Sequence, residues 1–515
     1  MSLVPSTCDV LVIGGGHNGL VAATYLARAG RRVTVVEARD RFGGAVAGAA
    51  VFDGVAARMS RFAYLVSLLP AEIVSDLGLE LELRSRRIAS YTPVGESGLL
   101  VERTAGAATV ASFAGLTGGD AEYRAWSELE AELHRFARLV APTLTQPLPR
   151  ASQLRNEIGP ELWSALVERP IGDLIEHALA DDTVRGVVAT DALIGTFAST
   201  HDRSLHQNRC FAYHVIGGGT GEWKVPVGGM GHVADELVRT ANAAGAELRS
   251  GCTVRTIEPD PAGGATAVLA DGSRLRAPYV LSNCAPATLN RLLGEPAEDP
   301  EGSQTKINIV VRRLPRFRSG VDPEVGFAGT LHLGQGYRRL QEAYEEASAG
   351  SIPDPMPCEV YCHTLTDPTI LSPELQRSGY HTLTLFGMHT PARLFADDPV
   401  GSRKRAKLAA LRTFQQVLAE PLADCLALDT SGRPCIEVMT PLDIEADVGM
   451  PGGHIFHGEL AWPWLADDAV AETPAERWGV ATRHPRILLC GSGAVRGGAV
   501  SGLGGHNAAH AVLES

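Results

Sequence analysis

The sequence predicts an α/β protein organised around strand–glycine turn–helix units. Three stretches carry that reading: DVLVIGGGHNGLVAATYLARAG at Asp9–Gly30, RRVTVVEA at Arg31–Ala38, and RILLCGSGAVRGGAVSGLGGHNAAHAVLES at Arg486–Ser515. In each, a short apolar run of strand length stands next to small residues or a helix-forming segment.

Val10–Ile13 is short and apolar enough for a buried parallel strand. Gly14-Gly15-Gly16-His17-Asn18-Gly19 follows as G-x-G-x-x-G, and a helix is predicted from about Asn18 to Ala29, ended by Gly30. Gly14 permits the tight turn, Gly16 lets backbone approach a pyrophosphate, and Gly19 lets helix and strand pack closely. The phosphate charge then sits on the helix N-terminus, where His17 and Asn18 also lie. The next strand ends at Glu37, eighteen residues after Gly19, where an acid grips a ribose hydroxyl. The order of strand, turn, helix, strand and acid predicts dinucleotide binding.

The ligand is narrowed by EARDRFGG, Glu37–Gly44, which resembles the E-x-R-x-x-x-G-G sequence of flavoproteins of the glutathione-reductase type. That likeness points to FAD, with Ala38 and Arg39 near ribose or phosphates and Gly43 and Gly44 letting the chain pass close to the cofactor. The rival segment VIGGGTGEWKVPVGGMG, Val215–Gly231, fails as a second nucleotide turn because Pro226 prevents a regular helix there. A helix is expected only after GGMG, near His232, followed by a strand carrying Val254 and Ile257. No second dinucleotide turn is predicted, so electrons leaving the flavin would pass to oxygen, a quinone or another substrate.

At the C-terminal end, Ile487–Cys490 reads as a buried strand, with Gly491 and Gly493 leaving room for a ligand and Gly502, Gly504 and Gly505 preceding a helix over Asn507–Leu513. In between, GGDAEYRAWSELEAELHRFARLVAPTL has Asp120 as an N-cap and an apolar stripe of Tyr123, Trp126, Leu129, Leu133, Phe136 and Leu139. KINIVVRRL and YHTLTLFGMH read as strands, and KRAKLAALRTFQQVL as an amphipathic helix whose basic start is a solvated face or a peripheral membrane contact.

Together with MSRFAYLVSLLPAEIVSDLGLEL, GEWKVPVGGMGHVADEL and TPLDIEADVGMPGGHIFHGEL, these stretches resemble the phytoene desaturase-related flavoproteins of the amine-oxidase superfamily. Within that group the chain is similar to the branch called pyridine nucleotide-disulfide oxidoreductase domain-containing protein 2 and to carotenoid ketolase-like bacterial relatives. The resemblance implies a glutathione-reductase-type Rossmann FAD domain built from discontinuous segments, with an inserted α+β substrate domain. The expected FAD segments are 1–70, 225–290 and 435–515; 71–224 and 291–434 are expected to form the substrate domain. It also implies that backbone at Val254 meets the adenine. Many relatives carry a Gly-Asp pair after the last strand; here Gly491-Ser492-Gly493 has no acid, so either that contact is missing or Ser492 and backbone amides supply it. Gly502 and Asn507 complete the expected cofactor set.

The chain has 515 residues, 45% apolar and 20% charged, and a net charge of −13, which disfavours nucleic acid or an anionic bilayer as partner. No apolar run is long enough to span a membrane. MSLVPSTCD shows no signal peptide, and nine scattered Cys without a framework suit a reducing cytoplasmic setting. No CxxC is present, which removes a redox disulfide, and no metal site is expected, Cys358, Cys362 and His363 reading as strand residues. The candidate catalytic residues are His214, Trp223 and Lys224, before Gly228-Gly229, and His457, after Pro451-Gly452-Gly453; some amine oxidases hold a lysine near the flavin through water, a place Lys224 could take. The expected function is FAD-dependent oxidation of an apolar or conjugated small molecule by a monomer or homodimer. Amine oxidation, or a flavin-bound scaffold with little catalysis, are the alternatives.

Overall fold

Four distant parts of the chain build one parallel sheet. Its order is Glu247–Arg249, Val33–Val36, Val10–Ile13, Tyr279–Ser282 and Ile487–Leu489, and every neighbouring pair is parallel. The computed structural model describes residues 6–261 and 263–515; the first five residues, part of the stretch read for a signal peptide, lie outside the described residues. Every residue of Val10–Ile13 and Val33–Val36 is buried, as a sheet covered on both faces requires. Each such Val or Leu contributes roughly 1.5–3 kcal/mol.

The glycine turn leads into the helix His17–Arg28, and Gly30 follows it at φ +81°. Against this helix lies the C-terminal helix Leu503–Leu513. A Cβ on Gly505 would stand 1.9 Å from the Asn18 carbonyl oxygen, and one on Gly504 2.5 Å from the Gly491 oxygen, so the helix approaches only because it starts with glycines. The C-terminal helix therefore begins four residues earlier than the sequence suggested, directly after Gly502 at φ +73°. Gly505→Ala is expected to lower stability by roughly 1–3 kcal/mol through overpacking, read as a drop in melting temperature.

Val254–Pro259, Ala265–Leu269, Arg274–Ala277 and Ser6–Thr7 form a four-stranded sheet beside the parallel one. A seven-stranded sheet runs Ile436–Met439, Thr305–Val311, His381–Gly387, Cys358–Tyr361, Thr330–Leu333, Ile88–Val94 and Ser97–Glu102. Its pairs are antiparallel except Thr330–Leu333 with Ile88–Val94.

The helices Ala121–Val140, Asp182–Leu193 and His206–Ile216 stand between the chain's sheet-forming regions. In the first, Leu129, Leu133 and Phe136 are buried, matching the sequence stripe. Asp120 does not cap it: its side chain makes no cap bond and instead pairs with Arg124 at 3.0 Å, one turn on.

The helix expected after GGMG begins at Gly229, inside the glycine run, with Gly228 at φ +81° before it. Gly231 makes this workable, since a Cβ there would meet the Gly48 backbone at 3.2 Å. Cys358–Tyr361 is a strand, while Cys362 and His363 lie just beyond it. Among the described residues no group of three or more His, Cys, Asp or Glu could hold a metal ion, and no helix is long and apolar enough to cross a membrane.

Candidate functional site

One cavity of about 470 Å³ extends from the glycine turn to the seven-stranded sheet, within the roughly 300–1,000 Å³ usual for small-molecule and cofactor sites. Gly14, Gly16, His17, Glu37, Ala38, Arg39, Gly44, Val254 and Ser492 line it, and so do His214, Trp223 and His457.

Glu37 is fixed by the turn it serves. Its Oε2 accepts from the Gly15 amide at 2.8 Å and its Oε1 from the Arg39 amide at 3.0 Å, so the carboxylate is oriented before any ligand arrives. The Gly16–Gly43 bridge and the positive φ of Gly14, Gly43 and Gly44 bring the turn and the loop after the second strand together. A Cβ on Gly19 would meet the Gly14 oxygen at 2.4 Å, which explains the third glycine.

Gly43, Gly19, Asn18, Gly491, Gly493, Gly502 and Asn507 do not line the cavity. Gly491 and Gly493 serve packing: Cβ atoms there would strike the Asn283 oxygen at 2.7 Å and Pro286 at 2.3 Å. The Asn507 amide points to the Leu144 oxygen and His506, because the early start of its helix turns it that way. Asn18 Nδ2 donates to Ser492 Oγ at 3.5 Å, joining the two ends of the chain.

Lys224 is also outside the cavity. Its backbone pairs with Val66, its side chain is 39% exposed, and its amine lies 3.8 Å from Glu222. Trp223, its neighbour, points the other way, into the cavity, where His214 stacks on it at 4.8 Å. His214 Nδ1 donates to the Cys210 carbonyl at 3.0 Å.

The lysine of the site is Lys306, in Thr305–Val311. It is 1% exposed, and its Nζ donates to the carbonyls of Ser60 (3.0 Å) and Phe62 (2.7 Å). Burial pulls its pKa down to about 7, partly offset by Glu437 and reinforced by Arg61. The strand is buried on both faces, so a lysine in it was the available sequence signal. Around it stand Phe62, Tyr64 and Phe386, also unforeseen; Nζ lies 5.4 Å from the Phe386 ring centre and 6.0 Å from that of Tyr64. Arg61 pairs with Glu437 and Asp447, and Arg58 with Asp235.

Two buried polar atoms of the cavity lining have no protein partner, His17 Nε2 and His457 Nδ1, and neither has Asn18 Oδ1 beside it in the chain. Burial holds both histidines near pKa 4, His457 further lowered by His17 and His454, so both are neutral at neutral pH. His457 sits at φ +65°, a conformation that costs a non-glycine residue on the order of 1–3 kcal/mol. His457→Gly is therefore expected to raise or preserve the melting temperature while weakening FAD binding.

A cradle of glycine backbone, a preset acid at the end of the second strand, a helix N-terminus and unpartnered neutral imidazoles suit a dinucleotide with an uncharged ring system. The fold and site thus define a Rossmann-type dinucleotide-binding protein. A model of NAD(P)-binding Rossmann-like domains matches residues 12–71, and one of flavin-containing amine oxidoreductases matches residues 72–312. Pyridine nucleotide-disulfide oxidoreductase domain-containing protein 2 of Rattus norvegicus is 30% identical over 561 residues, covering 98% of this chain and 93% of its own. An uncharacterized protein of Mycobacterium tuberculosis is 49% identical over 528 residues, covering 98% of this chain and 97% of its own. A putrescine oxidase structure matches with a TM-score of 0.61 at 18% identity, covering 99% of this chain and 100% of that one. Cyclohexylamine oxidase from Brevibacterium oxydans matches with a TM-score of 0.56 at 17% identity and the same coverage. At those identities the two structures show a shared fold alone. The chain belongs to the amine-oxidase superfamily of flavin-containing oxidoreductases, alongside pyridine nucleotide-disulfide oxidoreductase domain-containing protein 2, and its cofactor is FAD.

Proposed function

We propose that this chain is a phytoene desaturase-like dehydrogenase or oxidase. It takes a hydride from an apolar or conjugated small molecule and passes the electrons to oxygen or a quinone. In this reading, residues 1–70, 225–290 and 435–515 form a glutathione-reductase-type FAD domain, with Ile436–Met439 reaching across to the larger sheet, while 71–224 and 291–434 hold the substrate.

Gly14 and Gly16 would admit the pyrophosphate, Glu37 would accept from the ribose hydroxyls, and backbone at Val254 would meet the adenine. His17, His457 and Ser492 would offer polar atoms to the rest of the cofactor. When bound, FAD supplies a two-electron acceptor for a hydride. Phe62, Tyr64, Trp223 and Phe386 exclude water from the end of the cavity nearer the seven-stranded sheet. Lys306, uncharged above about pH 7, accepts the proton that the substrate releases there.

The observation that carries the reading is this aromatic wall with one buried, near-neutral amine in it. Amine oxidation is a second reading, favoured by the Tyr64 and Trp223 rings, which lie nearly parallel at 15° with centres 6.4 Å apart and could flank a cation. The test is anaerobic bleaching of the bound flavin by a carotenoid, a primary amine and a long-chain alcohol. Bleaching by the carotenoid or alcohol supports the first reading and bleaching by the amine alone the second. Bleaching by none contradicts both.

A further inference from the structure

The chain has four lysines, Lys224, Lys306, Lys404 and Lys407. Lys404 is exposed, Lys407 is half-buried, and Lys224 stands outside the cavity near Glu222. Lys306 alone of the four lines the cavity. Its nitrogen has three positions beyond its own carbon. The carbonyls of Ser60 and Phe62 take two of them, at 3.0 and 2.7 Å. Among the described residues no hydrogen-bonding group takes the third. An uncharged amine has two N–H groups, so with both donated its lone pair holds that third position. The rings of Phe386 and Tyr64, 5.4 and 6.0 Å from the nitrogen, are cavity wall.

Gln304 lies two residues earlier and also lines the cavity, so the two side chains share one side of the segment. Thr305, between them, turns the other way and bonds to Thr390 at 3.0 Å. Gln304 is buried; its Oε1 accepts from Ser303 at 3.1 Å, and its Nε2 donates one N–H to the Leu193 carbonyl at 3.4 Å. The amide has a second N–H to give. A nucleophile and a hydrogen-bond donor thus stand roughly 7 Å apart along one strand and border the same cavity.

We propose that Lys306 is a carbonyl-capture site, condensing reversibly with an apolar aldehyde whose oxygen Gln304 holds. The nitrogen lone pair attacks the carbonyl carbon. The carbon–oxygen π pair moves onto the oxygen, which takes one proton from the nitrogen. The hydroxyl then leaves as water with the second N–H proton, and a carbon–nitrogen double bond remains. One aldehyde and one amine give one imine and one water, and nothing is oxidised or reduced. When protonated, the imine keeps one N–H, which one of the two backbone carbonyls accepts.

The surroundings set the class of ligand. Phe62, Tyr64, Leu65, Ile194, Phe386 and Phe456 line the cavity, which selects an apolar chain behind the carbonyl. Burial pulls the Lys306 pKa down to about 7, partly offset by Glu437 and reinforced by Arg61, so much of the amine is uncharged at neutral pH. Oxidation of a primary alcohol or a primary amine yields an aldehyde of this kind, so the same lysine would hold such a product. The capture itself consumes no flavin and does not rest on the oxidation proposed above.

The test treats FAD-loaded protein with hexanal and cyanoborohydride, which reduces an imine to a stable secondary amine. Mass spectrometry is expected to show one hexyl group per chain, and peptide mapping to place it on Lys306. Uptake should fall at least about tenfold in Lys306→Met and in Gln304→Leu, the second of which keeps the amine. Glyceraldehyde, a polar aldehyde, should label Lys306 more slowly than hexanal. Label spread over Lys224, Lys404 and Lys407 with Lys306 unmodified would overturn the capture, and this result needs no variant. Full uptake by Gln304→Leu would overturn the role of Gln304, and equal labelling by the two aldehydes would overturn the apolar class. Labelling is read whether or not any substrate bleaches the flavin, so failure of the oxidation reading is separately visible.

Discussion

Glu37→Ala is expected to weaken FAD binding by roughly 10²–10³-fold, the equivalent of losing two hydrogen bonds to a charged group. The carboxylate does two things. It orients the turn by accepting from the amides of Gly15 and Arg39, and it lines the cavity at the end of the second strand. Removing it leaves both amides without that acceptor and removes the group proposed to face the ribose. Glu37→Gln keeps one acceptor oxygen and should fall between alanine and wild type. Flavin fluorescence on titration with FAD reads the effect directly. Equal affinity in all three proteins would mean that the acid serves the fold alone.

Lys306→Met is expected to make the protein more stable and less active. The pKa of Lys306 falls from 10.5 to about 7 on folding. Between those values the unfolded chain binds a proton that the native chain does not, so stability rises with pH across that window. Below about pH 7 the full penalty of a buried ammonium is present, on the order of 5 kcal/mol at about 1.4 kcal/mol per unit. Methionine removes the penalty but leaves the Ser60 and Phe62 carbonyls without their donor, for a net gain of roughly 1–3 kcal/mol at pH 7. The melting temperature should rise and its dependence on pH between 7 and 10 should flatten. The same change removes the proposed proton acceptor, so the rate of flavin reduction by the bleaching substrate should fall by roughly 10²–10⁴. The limb of the rate that rises with pH through about 7 should vanish with it. A residue that costs stability and supports turnover is the usual mark of a working site.

The cofactor end of the cavity was legible in the sequence because its parts are local. Gly14, Gly16 and Gly19 are spaced by the turn itself, and Glu37 by the length of one helix and one strand. The substrate end was not, because sheet pairing assembles it from distant segments. Lys306 and Phe386 face each other across the pairing of Thr305–Val311 with His381–Gly387, and no spacing along the chain records that. Trp223 and Lys224 show the limit at single-residue scale. Successive residues of extended chain point to opposite sides, and only the bridge to Val66 decides that Trp223 faces inward. At the C-terminal end, Gly491 and Gly493 were read as leaving room for a ligand, and neither lines the cavity. The close neighbour is protein, since Gly493 meets Pro286 and Gly505 meets Asn18.

The most direct test of the account is to identify the cofactor that the purified protein carries. The protein is denatured after reconstitution with FAD and NAD(P) together, and the released nucleotide is analysed by mass spectrometry. FAD is expected at one molecule per chain, with no NAD(P) retained. Retention of NAD(P) in its place, or of neither nucleotide, would contradict it.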